Sequence, residues 1–143
     1  MSKKITILNG PNLNLLGTRE PEIYGTTTLA DIEAMCREAA GVHGFAVDFR
    51  QTNHEGELID WVQAAREDAG IIMNAGGYTH TSVALHDALR AVRAPIIEVH
   101  ISDPKMREPF RHRSFIEPVA QQSICGHGAK GYVMAIDALA KLI

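Results

Sequence analysis

The 143-residue sequence has no basic surplus, no long apolar run and almost no cysteine. Fourteen Lys and Arg against seventeen Asp and Glu leave a formal net charge of −3. Nucleic-acid binders are ordinarily basic, so that class is set aside. No apolar stretch approaches the ~20 residues that span a bilayer, and the amino terminus has no signal-like pattern. Neither a membrane nor a nucleic-acid partner is therefore expected. Cys36 and Cys125 form no Cys-x-x-Cys pair, and two buried free thiols suit a reducing cytoplasm. A phosphate-cradling Gly-x-Gly-x-x-Gly and a Walker sequence are both missing, which argues against a nucleotide. His80, His86 and His100 lack both His-x-x-x-His and carboxylate spacing, so no metal is expected either. There is no internal repeat, low-complexity segment or linker.

What is present is a single domain, 1–143, whose 45% hydrophobic content is enough to bury a proper core. The chain is organised around residues 71–87. Ile71, Ile72 and Met73 read as a short buried strand that ends at Asn74 and turns at Gly76 and Gly77. Thr79 and Thr81 then offer helix N-caps, and Leu85, Leu89 and Val92 continue at helical spacing. This unit delivers Asn74 to a strand's carboxyl end and His80 to a helix mouth. A glycine turn that merely reverses the chain would need neither.

The remaining elements follow the same alternation. Residues 4–9 form a first strand, and residues 10–25 are a long connection carrying Asn12, Arg19 and Tyr24. Unstructured loops of that length are uncommon in compact domains and usually serve as lids or binding loops. A helix from Thr28 to near Gly44 is marked by Leu29, Ile32, Met35, Cys36 and Ala39. A strand at 45–51 leads to a helix built on Leu58, Trp61, Val62 and Ala65, with Trp61 expected in the core. Residues 95–101 form a fourth strand in which Glu98 and His100, two apart, share a face. A carboxylate beside an imidazole holds that ring in one orientation and keeps it basic, although an ion pair of purely structural value has the same spacing. The connection 102–122 carries Arg107 and Arg111, one helical turn apart and able to share a face. A last strand, 123–126, precedes a last helix, 128–143, with Val133, Ile136, Ala140 and Ile143 inward.

Five strands alternating with helices predict a parallel sheet covered on both faces. The length fits a flavodoxin-like, doubly wound α/β fold of strand order 2-1-3-4-5, with helices on both faces. Ligands of such sheets bind beyond the carboxyl ends of the first and third strands. Asn12, Arg19, Tyr24, Asn74, His80, His100 and Ser102 then converge on one pocket. An acid, a base and cations without a cofactor suit proton abstraction beside a carbonyl, followed by loss of a protonated leaving group. Two other readings stand beside it. One is a module that binds a small anion without turnover; the other is a hydrolase using Ser102, His100 and Glu98. In the latter, Ser102 would have to bend toward His100 through the loop.

Five segments carry a resemblance. They are Ile7-Leu-Asn-Gly-Pro-Asn-Leu-Asn-Leu-Leu-Gly, Arg19-Glu-Pro-Glu-Ile-Tyr-Gly, Asn53-His-Glu-Gly-Glu-Leu, Asn74-Ala-Gly-Gly-Tyr-Thr-His-Thr-Ser and Glu98-Val-His-Ile-Ser. In order and spacing the chain resembles type II 3-dehydroquinate dehydratase, from about Ile5 to the last helix. His86, Arg113 and His127 are peripheral departures. The resemblance implies a cofactor-free dehydration of 3-dehydroquinate to 3-dehydroshikimate through an enolate, in a homo-oligomer of trimers packed as a dodecamer. It implies Tyr24 as base, with Arg19 and then Arg107 lowering its pKa. His100, oriented by Glu98, is the implied acid, and Asn12 holds a water or donor against the enolate oxygen. Asn74 with Ile101 and Ser102 takes the substrate carboxylate, while His80 and Arg111 bind ring hydroxyls. Asp87 is expected to reach a neighbouring subunit's pocket. The other route to this reaction, a lysine imine in a (β/α)8 barrel of ~250 residues, does not fit so short a chain. Its five lysines fall in a terminus, loop or helix.

Overall fold

The structure is a computed structural model that describes residues 3–18 and 20–143, the side chains of Ile23 and Tyr24 excepted. Its sheet contains β1 (Lys3–Asn9), β2 (Phe45–Gln51), β3 (Gly70–Asn74), β4 (Ile96–His100) and β5 (Gln122–Cys125). All neighbours are parallel, in the flavodoxin-like order β2-β1-β3-β4-β5 that the sequence predicts. Every residue of β3 and β4 is buried, as their near-continuous apolar runs require of strands covered on two faces.

Period-two alternation assigns those faces. Ile5, Ile7, Ile72, Ile97 and Val99 point into a layer with α2 (Leu29–Val42) and α5 (Lys130–Leu142), meeting Ile32, Cys36, Ile136 and Leu139. Leu8, Ile71, Met73 and Ile96 point the other way, onto Leu58 and Val62 of α3 (Glu55–Ala64) and Leu85 and Leu89 of α4 (Val83–Arg90). Each such aliphatic side chain, fully buried, stabilises the fold by roughly 1.5–3 kcal/mol. α2 opens on a capping box, Thr28 accepting from the Asp31 N–H and Asp31 from the Thr28 N–H.

Several expectations are corrected. The connection 10–25 is not structureless: it holds a 3-10 turn, Leu13–Leu15, and a single helical turn, α1 (Pro21–Tyr24). Leu13 and Leu16 pin its first half to the core. α4 is capped by Ser82, whose hydroxyl accepts from the Leu85 N–H at 2.9 Å, and not by Thr79 or Thr81. Residues Gly76–His80 instead form a 3-10 turn, so His80 ends that turn and does not sit at the mouth of α4. Arg107 and Arg111 do not share a helix face; Pro104 and Pro109 open two separate 3-10 turns there. Trp61 is only half-buried, with the Arg50 guanidinium 5.2 Å from its ring centroid. α5 turns inward on Tyr132, Ala135, Ile136 and Leu139, leaving Val133 and Ala140 half-buried and Ile143 exposed.

Candidate active site

The site is built where β1 and β3 lie side by side, with Asn9 in register with Asn74. The loops leaving these strands are fastened together. Gly10 donates its N–H to the Asn74 carbonyl at 2.8 Å, and a Cβ on Gly10 would stand 2.2 Å from the Ala75 carbonyl oxygen. Gly76, at φ 59°, lets the second loop turn past Pro11. Asn12 follows at φ 70°, a left-handed conformation that asparagine tolerates better than most residues.

Beneath these loops runs a buried polar chain. The Tyr132 hydroxyl donates to Asn9 Oδ1 at 2.7 Å and accepts from Asn74 Nδ2 at 2.8 Å. Asn9 Nδ2 donates to the Arg50 carbonyl at 3.0 Å. Asn74 is thereby held with its amide nitrogen inward, while its Oδ1 accepts from the Gly76 N–H at 3.3 Å. One Asn74 amide hydrogen is already committed to the phenol, which narrows the role expected of Asn74 toward a ligand. Burial pushes the Tyr132 phenol well above its ordinary pKa, so it stays protonated.

At the end of β4 the expected pair forms: His100 Nε2 lies 2.7 Å from Glu98 Oε2. Glu98 is 1% exposed. Burial alone would raise its pKa. The His100 hydrogen bond and charge, with hydroxyls donated by Ser114 and Ser123, outweigh burial and hold the carboxyl below its ordinary range. His100 is 8% exposed and lines the cavity described below. The His80 ring stacks 6.5 Å from that of His100, tilted by 19°. Burial lowers the pKa of His80, the positive neighbours His100 and Arg111 reinforce this, and the Arg113 carbonyl opposes it. His80 is therefore neutral near pH 7. Its Nδ1, 2.7 Å from the Arg113 carbonyl, carries the hydrogen, which makes Nε2 an acceptor.

A cavity of about 170 Å³ brings together Asn12, Asn74, His80, His100, Ile101, Ser102, Arg107 and Arg111. Arg107 Nη1 donates to the Ser102 hydroxyl at 3.4 Å, and its guanidinium lies 3.8 Å from both Glu20 and Glu108. Arg111 Nε donates to Glu108 at 2.9 Å. A larger hollow of about 470 Å³ shares His80, His100, Pro104 and Arg111 with this cavity and has Glu98, Ser114 and Ser123 in its wall. Asp87 is exposed on α4 and lines neither space. Arg19 and the Tyr24 side chain lie outside the described residues. Among the described residues no three His, Cys, Asp or Glu side chains gather as a metal site.

Sequence reasoning missed Tyr132, Ser114 and Ser123. Only Ser123 left a usable signal, since β4–β5 pairing sets it opposite Glu98. His86, a departure from the expected pattern, has a structural use: its Nδ1 lies 2.6 Å from the Phe115 carbonyl and fastens the connection 102–121 to α4. The assembled groups can bind an anion between cations and exchange a proton through a buried, carboxylate-backed imidazole.

Comparisons with known proteins bear on the family and the fold. The family model described as "Dehydroquinase class II" matches residues 3–140. A 3-dehydroquinate dehydratase of Azorhizobium caulinodans is 59% identical over 140 residues, covering 98% of this chain and 95% of that protein. One from Dinoroseobacter shibae is 62% identical over 136 residues, covering 94% and 91%. Among solved structures, the type II dehydroquinase from Propionibacterium acnes superposes with a TM-score of 0.94 at 44% identity, covering 99% and 98%. A matched family model over nearly the whole chain, relatives of this identity and a shared fold lead to one conclusion: the chain belongs to the class II dehydroquinase family.

Proposed function

We propose that this chain, acting as a single catalytic domain, dehydrates 3-dehydroquinate to 3-dehydroshikimate through an enolate, without a cofactor. Tyr24 removes the proton from the carbon beside the ketone, and the electron pair moves onto the carbonyl oxygen. Asn12 presents a water or donor to that oxygen. The enolate then collapses, the neighbouring carbon–oxygen bond breaks, and His100 supplies the proton that lets the hydroxyl leave as water. The observation that best supports this reading is the buried Glu98–His100 pair at 2.7 Å on the wall of an arginine-lined cavity. Unperturbed tyrosine has a pKa of ~10, and lowering it by ~2 units needs ~2.7 kcal/mol in favour of the anion. Arg19 and Arg107 are the cations assigned to that task.

Ser102, the backbone at Ile101 and Asn74 hold the substrate carboxylate. The Arg107 guanidinium beside the Ser102 hydroxyl supports an anion subsite there and disfavours a hydrolase in which that hydroxyl would give its proton to His100. His80, with its acceptor nitrogen, and Arg111 bind ring hydroxyls. Trimers packed as a dodecamer, in the cytoplasm, complete the reading. No described helix is long and apolar enough to cross a membrane.

Incubation with 3-dehydroquinate tests the proposal. The ultraviolet absorbance of the conjugated enone should rise, and Tyr24→Phe should abolish the rise while isothermal titration still records binding. A folded wild-type protein that leaves the substrate unchanged would overturn the assignment, and an active Tyr24→Phe would remove Tyr24 as base.

A further inference from the structure

We infer that Ser114 and Ser123 are positioning residues for the proposed proton donor. Their hydroxyls hold Glu98 as a fixed anion, and through it set how firmly His100 keeps its proton. The inference rests on the reading of His100 as general acid.

The geometry is specific. Ser123, in register with Glu98 across β4–β5, donates to Oε1 at 2.5 Å. Ser114, from the connection between β4 and β5, donates to Oε2 at 2.6 Å. His100 Nε2 shares that same oxygen. Ser114 has no alternative orientation for its proton. Its oxygen already accepts the Ile116 N–H at 3.1 Å and the Glu117 N–H at 3.0 Å, which occupies both lone pairs. Only donation remains, and Glu98 receives it. A carboxylate taken almost wholly out of water would otherwise meet a large desolvation cost and tend to take up a proton. Three donors on two oxygens answer that cost and fix the plane in which Oε2 faces the ring.

The consequence for His100 has a definite sign. Without the hydroxyls, the negative charge on Glu98 is less dispersed, and the Glu98–His100 pair binds its shared proton more tightly. The pair then titrates as a unit at higher pH and gives the proton up more slowly. Other titratable groups share this space. His80 faces the ring from the turn after β3, while Arg107 directly follows the first 3-10 turn of the connection, Arg111 ends the second and His112 follows it. Asp103, Lys105, Glu117 and, on β5, Cys125 complete the surroundings. None of them donates to Glu98 among the hydrogen bonds of the described residues, so the clamp is the direct lever on the carboxylate.

The test uses Ser114→Ala, Ser123→Ala and the double variant in the intact enzyme. The hollow beside the clamp could lend a water in place of one lost hydroxyl, so the double variant is decisive. Its kcat should fall about tenfold or more, the size of effect that losing an outer partner of a functional imidazole has elsewhere. KM should stay within about twofold, and the alkaline limb of kcat against pH should move up by about one unit. NMR titration of the His100 ring should move the same way. Ser123→Thr, which keeps the hydroxyl, should restore the limb; this single-site comparison also serves if the double variant does not fold. A folded double variant with unmoved limb and unmoved ring titration would overturn the inference. His100→Asn separates the two levels: full turnover there would remove His100 as acid, while the ring titration of the serine variants, which keep His100, still reports on the clamp.

Discussion

Tyr132→Phe deletes one oxygen from the interior and should unfasten the site from below. Tyr132 is 0% exposed, and its hydroxyl is both the donor to Asn9 Oδ1 and the acceptor of Asn74 Nδ2. Phenylalanine fills nearly the same volume, so the loss is polar and not one of packing. Two hydrogen bonds disappear, and two buried amide atoms, Asn9 Oδ1 and Asn74 Nδ2, each lose their partner, at about 1–3 kcal/mol apiece. A total of about 2–6 kcal/mol is a large share of the 5–15 kcal/mol that ordinarily stabilises a domain. For a chain of this length the unfolding entropy near 60 °C is about 0.3 kcal/mol/K, so the midpoint should drop by about 7–20 °C. Thermal unfolding followed by circular dichroism, at fixed protein concentration because the enzyme is proposed to be oligomeric, measures it. The Asn74 amide, freed to rotate, should raise KM several-fold with a smaller effect on kcat. A midpoint within about 3 °C of wild type would refute the argument, since Asn9 and Asn74 would then satisfy each other without the phenol.

Burial pushes the Cys36 thiol up to about 12, with Glu33 adding to it. The unfolded thiol ionises first, so stability should fall above about pH 9 by about 1.4 kcal/mol per pH unit, and Cys36→Ala should flatten that slope in urea titrations. The lowered pKa of His80 acts at the other end. The unfolded chain takes up the proton first, so stability present above about pH 6.5 is lost as pH falls, and His80→Gln should narrow the difference between urea midpoints at pH 7.5 and 5.5. Gly10→Ala should cost far more stability and activity than Gly77→Ala. The first Cβ meets Ala75 backbone at 2.2 Å and the second has nothing within 4 Å, so equal effects would contradict the loop packing described above.

The elements that were legible in the sequence are those whose signal is local and periodic. Runs such as Ile71-Ile-Met leave few choices other than buried parallel strands, and two-residue spacing alone puts Glu98 and His100 on one face. Tyr132 was not legible, because two stripes of α5 satisfy helical periodicity and both contain Ile136. The stripe that turns inward is chosen by distant partners: Asn9 and Asn74 receive the phenol, and Leu139 fits over Gly70, where a Cβ would stand 2.7 Å away. The start of α4 was misplaced because Thr79, Thr81 and Ser82 are all plausible caps. The 3-10 turn uses up the first two positions, and only Ser82 meets the Leu85 N–H. Ser114 sits in an irregular connection and gains its role from a strand 16 residues earlier.

Asp87 bears on assembly, because its surface lies away from the cavity of its own chain. It is exposed on α4 and lines neither hollow. Its proposed role is to hold an arginine, Arg19 or Arg107, of a neighbouring subunit in place. A ring of like subunits permits this, because each then gives one surface and receives another. The prediction is complementation between two damaged proteins. Asp87→Ala and Tyr24→Phe should each be nearly inactive alone. When the two are unfolded together in equal amounts and refolded, roughly a quarter of sites pair an intact Tyr24 with an intact Asp87 from the next subunit, given random placement around a cyclic trimer. Activity should then rise well above the mean of the separately refolded variants. If mass measurement confirms mixed oligomers and no gain appears, Asp87 does not act across the interface, and the arginine must be held from within its own chain.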